Sequence, residues 1–349
     1  MTAAVTLDRV GHLFGSHRAL ADVRLEIAAG EYVVLLGPSG CGKTTLLSIL
    51  GGFVRPGEGR VLIGGRDVTD LRPARRPTTT VFQDYALFPH MTLRDNVAFG
   101  LRMAGVGRAA RREAAERQLA LVGLEGAGGK RPHELSGGQR QRVALARALA
   151  VEPDVLLLEE PLGALDLRLR RAMQEELKAI QRRVGTTFVH VTHDQEEAMA
   201  IADRIVVMRD GRIEDVGEPD RVYRRPATLF AAGFMGETNR IPGRPVPGGV
   251  ETPFGTVPVA VPDGASRLVL CLRPEALRPV ETRNGAWDLG PARVEGAAFF
   301  GTHVRAHLLP ERAPGLRLVA HLPPDRAPEP TLRLSADPAD LSAFPEEAP

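Results

Sequence analysis

The strongest chemical signal in the sequence is a glycine-rich segment, residues 37–45, between an apolar run at Tyr32–Leu36 and a helical pattern at Lys43–Leu50. Its spacing fits G-x-x-x-x-G-K-[ST], a pattern that binds phosphate when it joins a strand to a helix. Glycines let successive backbone N–H groups turn towards phosphate oxygens, and the helix N-terminus adds its positive dipole end. We therefore predict a nucleotide site in which Lys43 reaches the outer phosphates and Thr44 binds Mg²⁺. The predicted binding residues are Gly37, Pro38, Ser39, Gly40, Cys41, Gly42, Lys43, Thr44 and Thr45.

The glycine-rich motif alone is compatible with kinases, GTPases and ATPases. A second predicted anion site reduces the number of enzyme classes that fit. Leu135–Arg142 reads L-S-G-G-Q-R-Q-R and opens a helical pattern that runs to Ala150. A serine cap, exposed N–H groups at a helix N-terminus and two arginines suit an anion. The string resembles the signature motif of the ATP-binding cassette (ABC) family. That resemblance implies a homodimer in which ATP is bound in trans by Ser136, Gly137, Gly138 and Gln139.

Other residues resemble functional positions of the same family, in the family's order. Phe14 resembles the aromatic residue that stacks on adenine, and Gln83 resembles the glutamine that meets Mg²⁺ and senses the membrane partner. Glu160, before Pro161, resembles the catalytic carboxylate that polarises the attacking water,. Asp166 resembles the aspartate of the loop across the dimer interface, and His193 resembles the switch histidine at the γ-phosphate. The resemblance thus implies that Glu160, His193, Gln83 and Asp166 serve catalysis.

One position departs from the family pattern. The strand before the catalytic carboxylate usually ends in Asp-Glu, whereas this chain has Glu159-Glu160. The resemblance implies that residue 159 holds Mg²⁺ through a water. An extra methylene moves the carboxylate by about 1 Å, and a misplacement of that size can cost about 10²-fold in rate. We expect ATP binding to be retained, and ATP hydrolysis to be the step that Glu159 could slow.

Strand and helix patterns alternate before residue 240, which predicts a mostly parallel sheet. Residues 92–150 read as helical, which predicts a helical subdomain inserted into the α/β domain. After residue 240 long helical patterns stop, and residues 241–349 hold 18 of the 28 prolines. The expected strands include Val155–Leu158, Thr187–Val191, Ile205–Met208, Thr256–Val261, Arg267–Leu272, Ala292–Leu308 and Leu316–His321, and the expected helices include Arg108–Val122, Leu167–Val184 and Gln195–Ala202.

These patterns divide the chain into two predicted domains. Residues 1–235 are expected to form an α/β P-loop NTPase, an ABC cassette with its helical subdomain. Residues 236–349 are expected to form a small all-β domain. Its Arg273-Pro274-Glu275 and Phe299-Phe300-Gly301 strings resemble the OB-like (TOBE-type) regulatory domain of the family's importers.

Composition excludes several other classes of protein. The balance of 45 Lys+Arg against 43 Asp+Glu gives no field that would attract nucleic acid,. Two cysteines cannot form a disulfide framework, so a reducing cytosol is expected,. The apolar runs are shorter than the roughly 20 residues that cross a bilayer, and charges at Asp8 and Arg9 argue against a signal peptide,.

The main hypothesis is an ATPase subunit of a bacterial importer, peripheral on the cytoplasmic face of the inner membrane. The strings Q-D-Y-A-L-F-P-H at Gln83–His90 and F-M-G-E-T-N-R-I-P-G at Phe234–Gly243 resemble the polyamine, ferric-iron and sugar branch. Two permease subunits would contact Gln83–Pro89, and a periplasmic or extracellular solute-binding protein would complete the complex. The strings favour spermidine or putrescine, with ferric iron, phosphonate, opine or sugar as alternatives.

Two other hypotheses remain open at this point. A soluble ABC protein acting on ribosomes or DNA is disfavoured by the single cassette, the short helical insertion and the near-neutral charge,. A binding switch that dimerises on ATP but hydrolyses it slowly is suggested by Glu159.

Overall fold

The computed structural model describes residues 2–163, 167–279, 285–325 and 329–346. The chain divides into two compact units, Met1–Pro219 and Asp220–Pro349. In the described part of the chain, no helix combines the length and the hydropathy needed to cross a membrane.

The first unit contains two sheets and a set of helices. Its strands are β1 (Val5–Phe14), β2 (His17–Ile27), β3 (Tyr32–Leu36), β4 (Glu58–Ile63), β5 (Arg66–Asp67), β6 (Thr78–Val81), β7 (Val155–Glu159), β8 (Thr187–Val191), β9 (Arg204–Arg209) and β10 (Arg212–Gly217). Its helices are α1 (Lys43–Gly51), α2 (Leu93–Val97), α3 (Phe99–Met103), α4 (Arg108–Leu121), α5 (Gly137–Leu149), α6 (Leu167–Val184) and α7 (Gln195–Ile201).

The six-stranded sheet of this unit has the order β10-β9-β3-β8-β7-β6, and its strands are parallel except β10. Strand β3 is buried along its whole length, as a parallel strand covered on both faces should be,. Helix α1 packs between this sheet and an antiparallel sheet of order β2-β1-β4-β5 through Leu46, Ile49 and Leu50. The predicted parallel sheet is confirmed, and the carboxyl ends of β3, β6, β7 and β8 meet at one edge.

The predicted helical insertion corresponds to α2–α5, between β6 and β7 in the chain. Thr92 caps α2 by accepting from the Asp95 N–H. Helix α5 buries Val143, Leu145 and Leu149, so one apolar face of it lies in the unit's interior. This face anchors the helix whose N-terminus carries the second predicted anion site.

The second unit combines two short helices with two five-stranded antiparallel sheets of order β13-β12-β11-β14-β20 and β15-β19-β16-β17-β18. A shared core includes Ile241, Leu270, Leu308 and Leu334. The all-β expectation for this region is therefore confirmed. The elements are α8 (Pro219–Arg224), α9 (Leu229–Phe234), β11 (Asn239–Val246), β12 (Gly249–Thr252), β13 (Gly255–Val257), β14 (Leu268–Leu272), β15 (Arg278–Pro279), β16 (Trp287–Phe299), β17 (Val304–Pro310), β18 (Leu318–Leu322), β19 (Thr331–Ala336) and β20 (Ser342–Pro345).

Helices α8 and α9 group with the strands that come after them, although the sequence patterns assign them to the first domain. The buried Arg273 explains this grouping, because its guanidinium donates to the carbonyl oxygens of Tyr223, Ala232 and Gly236. It also lies 4.2 Å from the centre of the Tyr223 ring. As a boundary between functional domains, residues 235/236 stay a prediction.

The expected strand at Ala292–Leu308 is a hairpin, formed by β16 and β17. Its turn includes Gly301, whose φ of 79° is in the left-handed region. Glycine adopts that region without the Cβ clash of other residues, and so allows the reversal.

Candidate nucleotide site

The glycine-rich loop holds its lysine in a fixed position. The Lys43 side chain is buried, and Nζ donates to the carbonyl oxygens of Gly37 at 2.7 Å and Pro38 at 2.9 Å. Nζ is also 3.7 Å from Sγ of the buried Cys41. The two carbonyl oxygens are neutral acceptors, and no carboxylate of the described residues pairs with the ammonium, which therefore suits an incoming phosphate,.

Two glycines are required by the packing of this loop. A Cβ at Gly37 would lie 2.3 Å from the Met208 carbonyl oxygen, and one at Gly42 would lie 2.5 Å from the Ala19 carbonyl oxygen. Gly42 also has a φ of 101° where it precedes α1. Among the described residues, no side chain caps the N-terminus of α1. Its first N–H groups are thus available to an anion.

Glu159 ends β7. Burial raises the pKa of its carboxyl, the nearby Thr44 hydroxyl opposes the rise, and the charges of Glu160 and Asp84 raise the pKa further. Of the three predicted metal-side residues, Thr44 and Glu159 therefore lie close together, whereas the place of Gln83 at the metal stays a prediction. A divalent cation there would offset this concentration of negative charge.

The predicted base and the predicted switch histidine are also in contact. His193 Nδ1 is 3.2 Å from Glu160 Oε1, and the imidazole is 65% exposed. Glu160 has a φ of 41°, and its N–H donates to the Val191 carbonyl at 2.9 Å. This left-handed backbone is strained for a glutamate and turns the chain away from β7. The register of β7 with β8 thus places both side chains at the same edge.

Gln83 is exposed two residues after β6, at the start of the loop that leads to α2. Arg147 of α5 donates to the carbonyl oxygens of Tyr85 at 2.8 Å and Ala86 at 2.7 Å, and these two residues have φ of 62° and 44°. The loop borders a groove of about 460 Å³. The lining includes Tyr85, Leu87, Pro89, Pro132 and Gly137.

The second predicted anion site forms a capped helix N-terminus. The Gln139 N–H donates to Ser136 Oγ at 3.4 Å, and the Ser136 N–H donates to Gln139 Oε1 at 3.0 Å. Gly138 is buried, and a Cβ there would be 3.3 Å from Leu169. Within the described residues, no hydrogen bond or ion pair joins 136–139 to the glycine-rich loop of the same chain.

Phe14 and Asp166 are the remaining site residues predicted from the sequence. Phe14 is 52% exposed at the end of β1, with its ring 4.5 Å from that of His12. Its exposure leaves a face for an adenine ring and excludes a core role. Asp166 lies outside the described residues.

Sequence reasoning missed a buried polar network behind His193. Tyr32, His190 and Glu197 are buried in the first unit, with the Tyr32 hydroxyl 3.0 Å from His190 Nδ1. Thr192 donates to Glu197 at 2.6 Å. A histidine inside the apolar strand Thr187–Val191 was the available signal.

Comparisons with known proteins agree with this geometry. Residues 20–163 match the family described as ABC transporter, and residues 270–344 match the TOBE domain. The Fe(3+) ions import ATP-binding protein FbpC of Rhizobium etli is 50% identical over 309 residues, covering 86% of each chain. The chain belongs to the ABC transporter family. It is an importer ATPase, the ATP-hydrolysing subunit of such a transporter.

Other ABC relatives differ in the solute that they are named for. The Spermidine/putrescine import ATP-binding protein PotA of Marinobacter nauticus is 53% identical over 240 residues, covering 69% of this chain and 64% of the relative. The Sulfate/thiosulfate import ATP-binding protein CysA 2 of Chromobacterium violaceum is 49% identical over 311 residues, covering 87% and 84%. The family is therefore shown, whereas the solute is not.

Solved structures show the same cassette. A dimeric post-hydrolysis state of the ATP-binding cassette MJ0796, bound to ADP and Pi, is 35% identical and has a TM-score of 0.54. It covers 62% of this chain and 98% of the MJ0796 chain. The predicted P-loop fold with a following TOBE domain is thus confirmed.

Proposed function

We propose that Glu160 activates the water that attacks ATP and that His193 contacts the γ-phosphate. The main supporting observation is the contact between these two side chains at 3.2 Å. A carboxylate general base must lie within hydrogen-bond reach of the water's proton. At this edge the base, the imidazole and the phosphate loop come after neighbouring strands of one sheet.

Lys43 and the N–H groups at the start of α1 would bind the phosphates. The ammonium now contacts neutral carbonyl oxygens, and charge-assisted hydrogen bonds to phosphate oxygens are stronger,. The exposed ring of Phe14 would stack on the adenine.

The residues present fit Mg²⁺. In the described part of the chain no group of three His, Cys, Asp or Glu forms a metal cage, which suits an ion that also uses phosphate oxygens and water,. Thr44 and Gln83 would bind it directly and Glu159 through a water. The ion would supply charge neutralisation for the phosphates.

We further propose that the active form is a homodimer. Ser136, Gly137, Gly138 and Gln139 would bind the ATP held by the loop of the other copy. The exposed Ser136 and the absence of a described contact between the two motifs of one chain support this arrangement. Asp166 is proposed to lie at the same interface.

Two permease subunits are the proposed membrane partners. The groove beside Gln83–Pro89 is lined by Tyr85, Leu87 and Pro89 together with the charged Asp84 and Arg140, so an amphipathic helix of a permease would fit it. This docking would place the chain on the cytoplasmic face of the membrane, with a solute-binding protein on the other side.

The proposed solute is a polyamine, spermidine or putrescine. Support comes from the Gln83–His90 and Phe234–Gly243 strings and from the similarity to PotA. The test measures ATP hydrolysis by a complex reconstituted from this chain and the permeases and solute-binding protein that neighbouring genes encode. We expect spermidine to stimulate phosphate release, with a Lys43→Ala complex as the inactive control. Stimulation by Fe³⁺ or sulfate, and not by spermidine, would reassign the solute.

A further inference from the structure

A buried carboxylate lies directly behind the turn that carries His193. Thr192 and Glu197 are 2% and 3% exposed, and the Thr192 hydroxyl donates to Glu197 Oε2 at 2.6 Å. Glu197 is on α7, whereas Thr192 comes directly after β8. This hydrogen bond therefore ties the turn to the next helix in the chain.

Both neighbours of His193 are held by this arrangement. The Asp194 N–H donates to Thr192 Oγ1 at 3.1 Å, and the Glu197 N–H donates to Asp194 Oδ1 at 3.1 Å. Arg170 of α6 donates to the other Asp194 oxygen at 2.8 Å. The imidazole between them is exposed and reaches Glu160. Its position is thus set by the residues on either side of it.

The second oxygen of Glu197 faces another buried side chain. Oε1 is 3.1 Å from His190 Nε2, although the alignment is not that of a hydrogen bond. Burial raises the pKa of Tyr32, so its phenol stays protonated and can donate to His190 Nδ1. In the tautomer in which Nδ1 accepts this hydrogen bond, the ring proton is on Nε2 and faces the carboxylate.

A buried carboxylate costs free energy unless it is paired, and an apolar side chain would fill the same volume at lower cost. Orientation of the turn is a role that an apolar side chain could not perform. We propose that Glu197 is a positioning residue that holds His193 against Glu160 through the Thr192 hydroxyl. This inference rests on the proposed role of His193.

The test compares two substitutions at Thr192 in the full-length chain assembled with its permeases. Thr192→Val keeps the shape and removes the hydroxyl, whereas Thr192→Ser keeps the hydroxyl. We expect Thr192→Val and Glu197→Met, which removes both acceptor oxygens at similar length, each to lower kcat about tenfold with the KM for ATP unchanged. Thr192→Ser, which keeps the hydroxyl, should retain most of the wild-type kcat. Glu196→Met, at an exposed neighbour on α7, is the matched control and should leave kcat unchanged.

The double variant Thr192→Val/Glu197→Met should lose no more than Thr192→Val alone, because the Glu197–Thr192 hydrogen bond is already absent in that single variant,. A wild-type kcat in Thr192→Val, or equal losses in Thr192→Val and Thr192→Ser, would overturn the inference. So would a parallel loss of ATP affinity and melting temperature, which indicates a general structural role. His193→Ala separates the two proposals: if it hydrolyses ATP normally, the role of His193 itself is wrong.

Discussion

Two helix N-termini are proposed to bind phosphate, and they differ in how far side chains of the same chain satisfy their backbone N–H groups. At α1 the preceding residue is Gly42, and no described side chain caps the helix. At α5 the Ser136 and Gln139 side chains satisfy backbone N–H groups of their own segment. The free N–H groups at the start of α1 can therefore bind an anion. The start of α5 is already capped by its own side chains and exposes Ser136 to solvent.

This difference supports the proposed dimer, in which one chain carries an assembled half of the ATP site and an exposed second half. Glu160 and His193 already meet at the sheet edge. Substitutions at the edge should abolish chemistry or binding in each chain. Substitutions at the start of α5 should lower ATP hydrolysis only in the dimer of two chains.

The largest effect is expected for Glu160→Gln. The amide keeps the shape but cannot accept the proton of the attacking water, so turnover should fall about 10²- to 10⁴-fold. ATP binding should persist and a dimer should accumulate, as measured by size-exclusion chromatography with Mg-ATP. A freely hydrolysing variant would mean that another group, with Glu159 as the nearest candidate, is the base.

Lys43→Ala should weaken ATP binding about 10- to 100-fold, because charged hydrogen bonds to phosphate are lost. Titration with a fluorescent ATP analogue measures the affinity. The control is Lys130→Ala, at an exposed lysine of the helical insertion. Wild-type affinity in Lys43→Ala would contradict the assignment of the loop.

Ser136→Ala tests the exposed half of the site. Loss of the cap should lower the free energy of unfolding by about 1 kcal/mol, and turnover at saturating ATP should fall about tenfold if the hydroxyl meets ATP. ATP affinity of the isolated chain should not change. A Ser136→Ala chain with normal turnover but reduced thermal stability would leave the serine as a cap alone.

The smallest effect, a severalfold gain, is expected for Glu159→Asp. The extra methylene carries the Glu159 carboxylate about 1 Å further towards Thr44 than an aspartate would reach, so the shorter side chain would leave more room for the metal beside Thr44,. The gain should appear in kcat with ATP affinity nearly unchanged, since the interaction improves in the transition state. Single-turnover hydrolysis with Mg-ATP and the membrane partners measures it.

Glu159→Gln is the matched control, because it keeps the length and removes the charge. It should be slower than the native chain. A slower Glu159→Asp variant would show that the surrounding loop is adapted to glutamate.

Much of the sheet edge could be predicted from sequence because its elements have strong local signals. The bounds of β3, β8 and α6 agree with the predicted ones, and the glycine-rich motif locates the phosphate loop at the end of β3. Continuous apolar runs between glycines and charges mark buried parallel strands. The site residues at the ends of these strands were found from motif spacing and family resemblance.

Other features depend on tertiary contacts that no local pattern specifies. The Glu197–Thr192 hydrogen bond requires α7 to fold back behind β8, and Arg273 gathers carbonyl oxygens from residues 36–50 positions away. The antiparallel sheet of β1, β2, β4 and β5 was also missed. Alternation of Val23, Leu25 and Ile27 with exposed residues in β2 was the available signal,.

The most direct test of an ATP site shared between two chains is a cysteine cross-link between the glycine-rich loop of one chain and the start of α5 of the other. Ser39→Cys in the loop and Ser136→Cys at α5 place exposed thiols in both, while the native Cys41 and Cys271 are buried. In a Glu160→Gln chain with Mg-ATP, mild oxidation should give a covalent dimer on a non-reducing gel. Neither single-cysteine variant should give it, nor should the double variant without nucleotide. A product that stays monomeric, with or without an internal disulfide, would contradict the claim that ATP is shared between two chains.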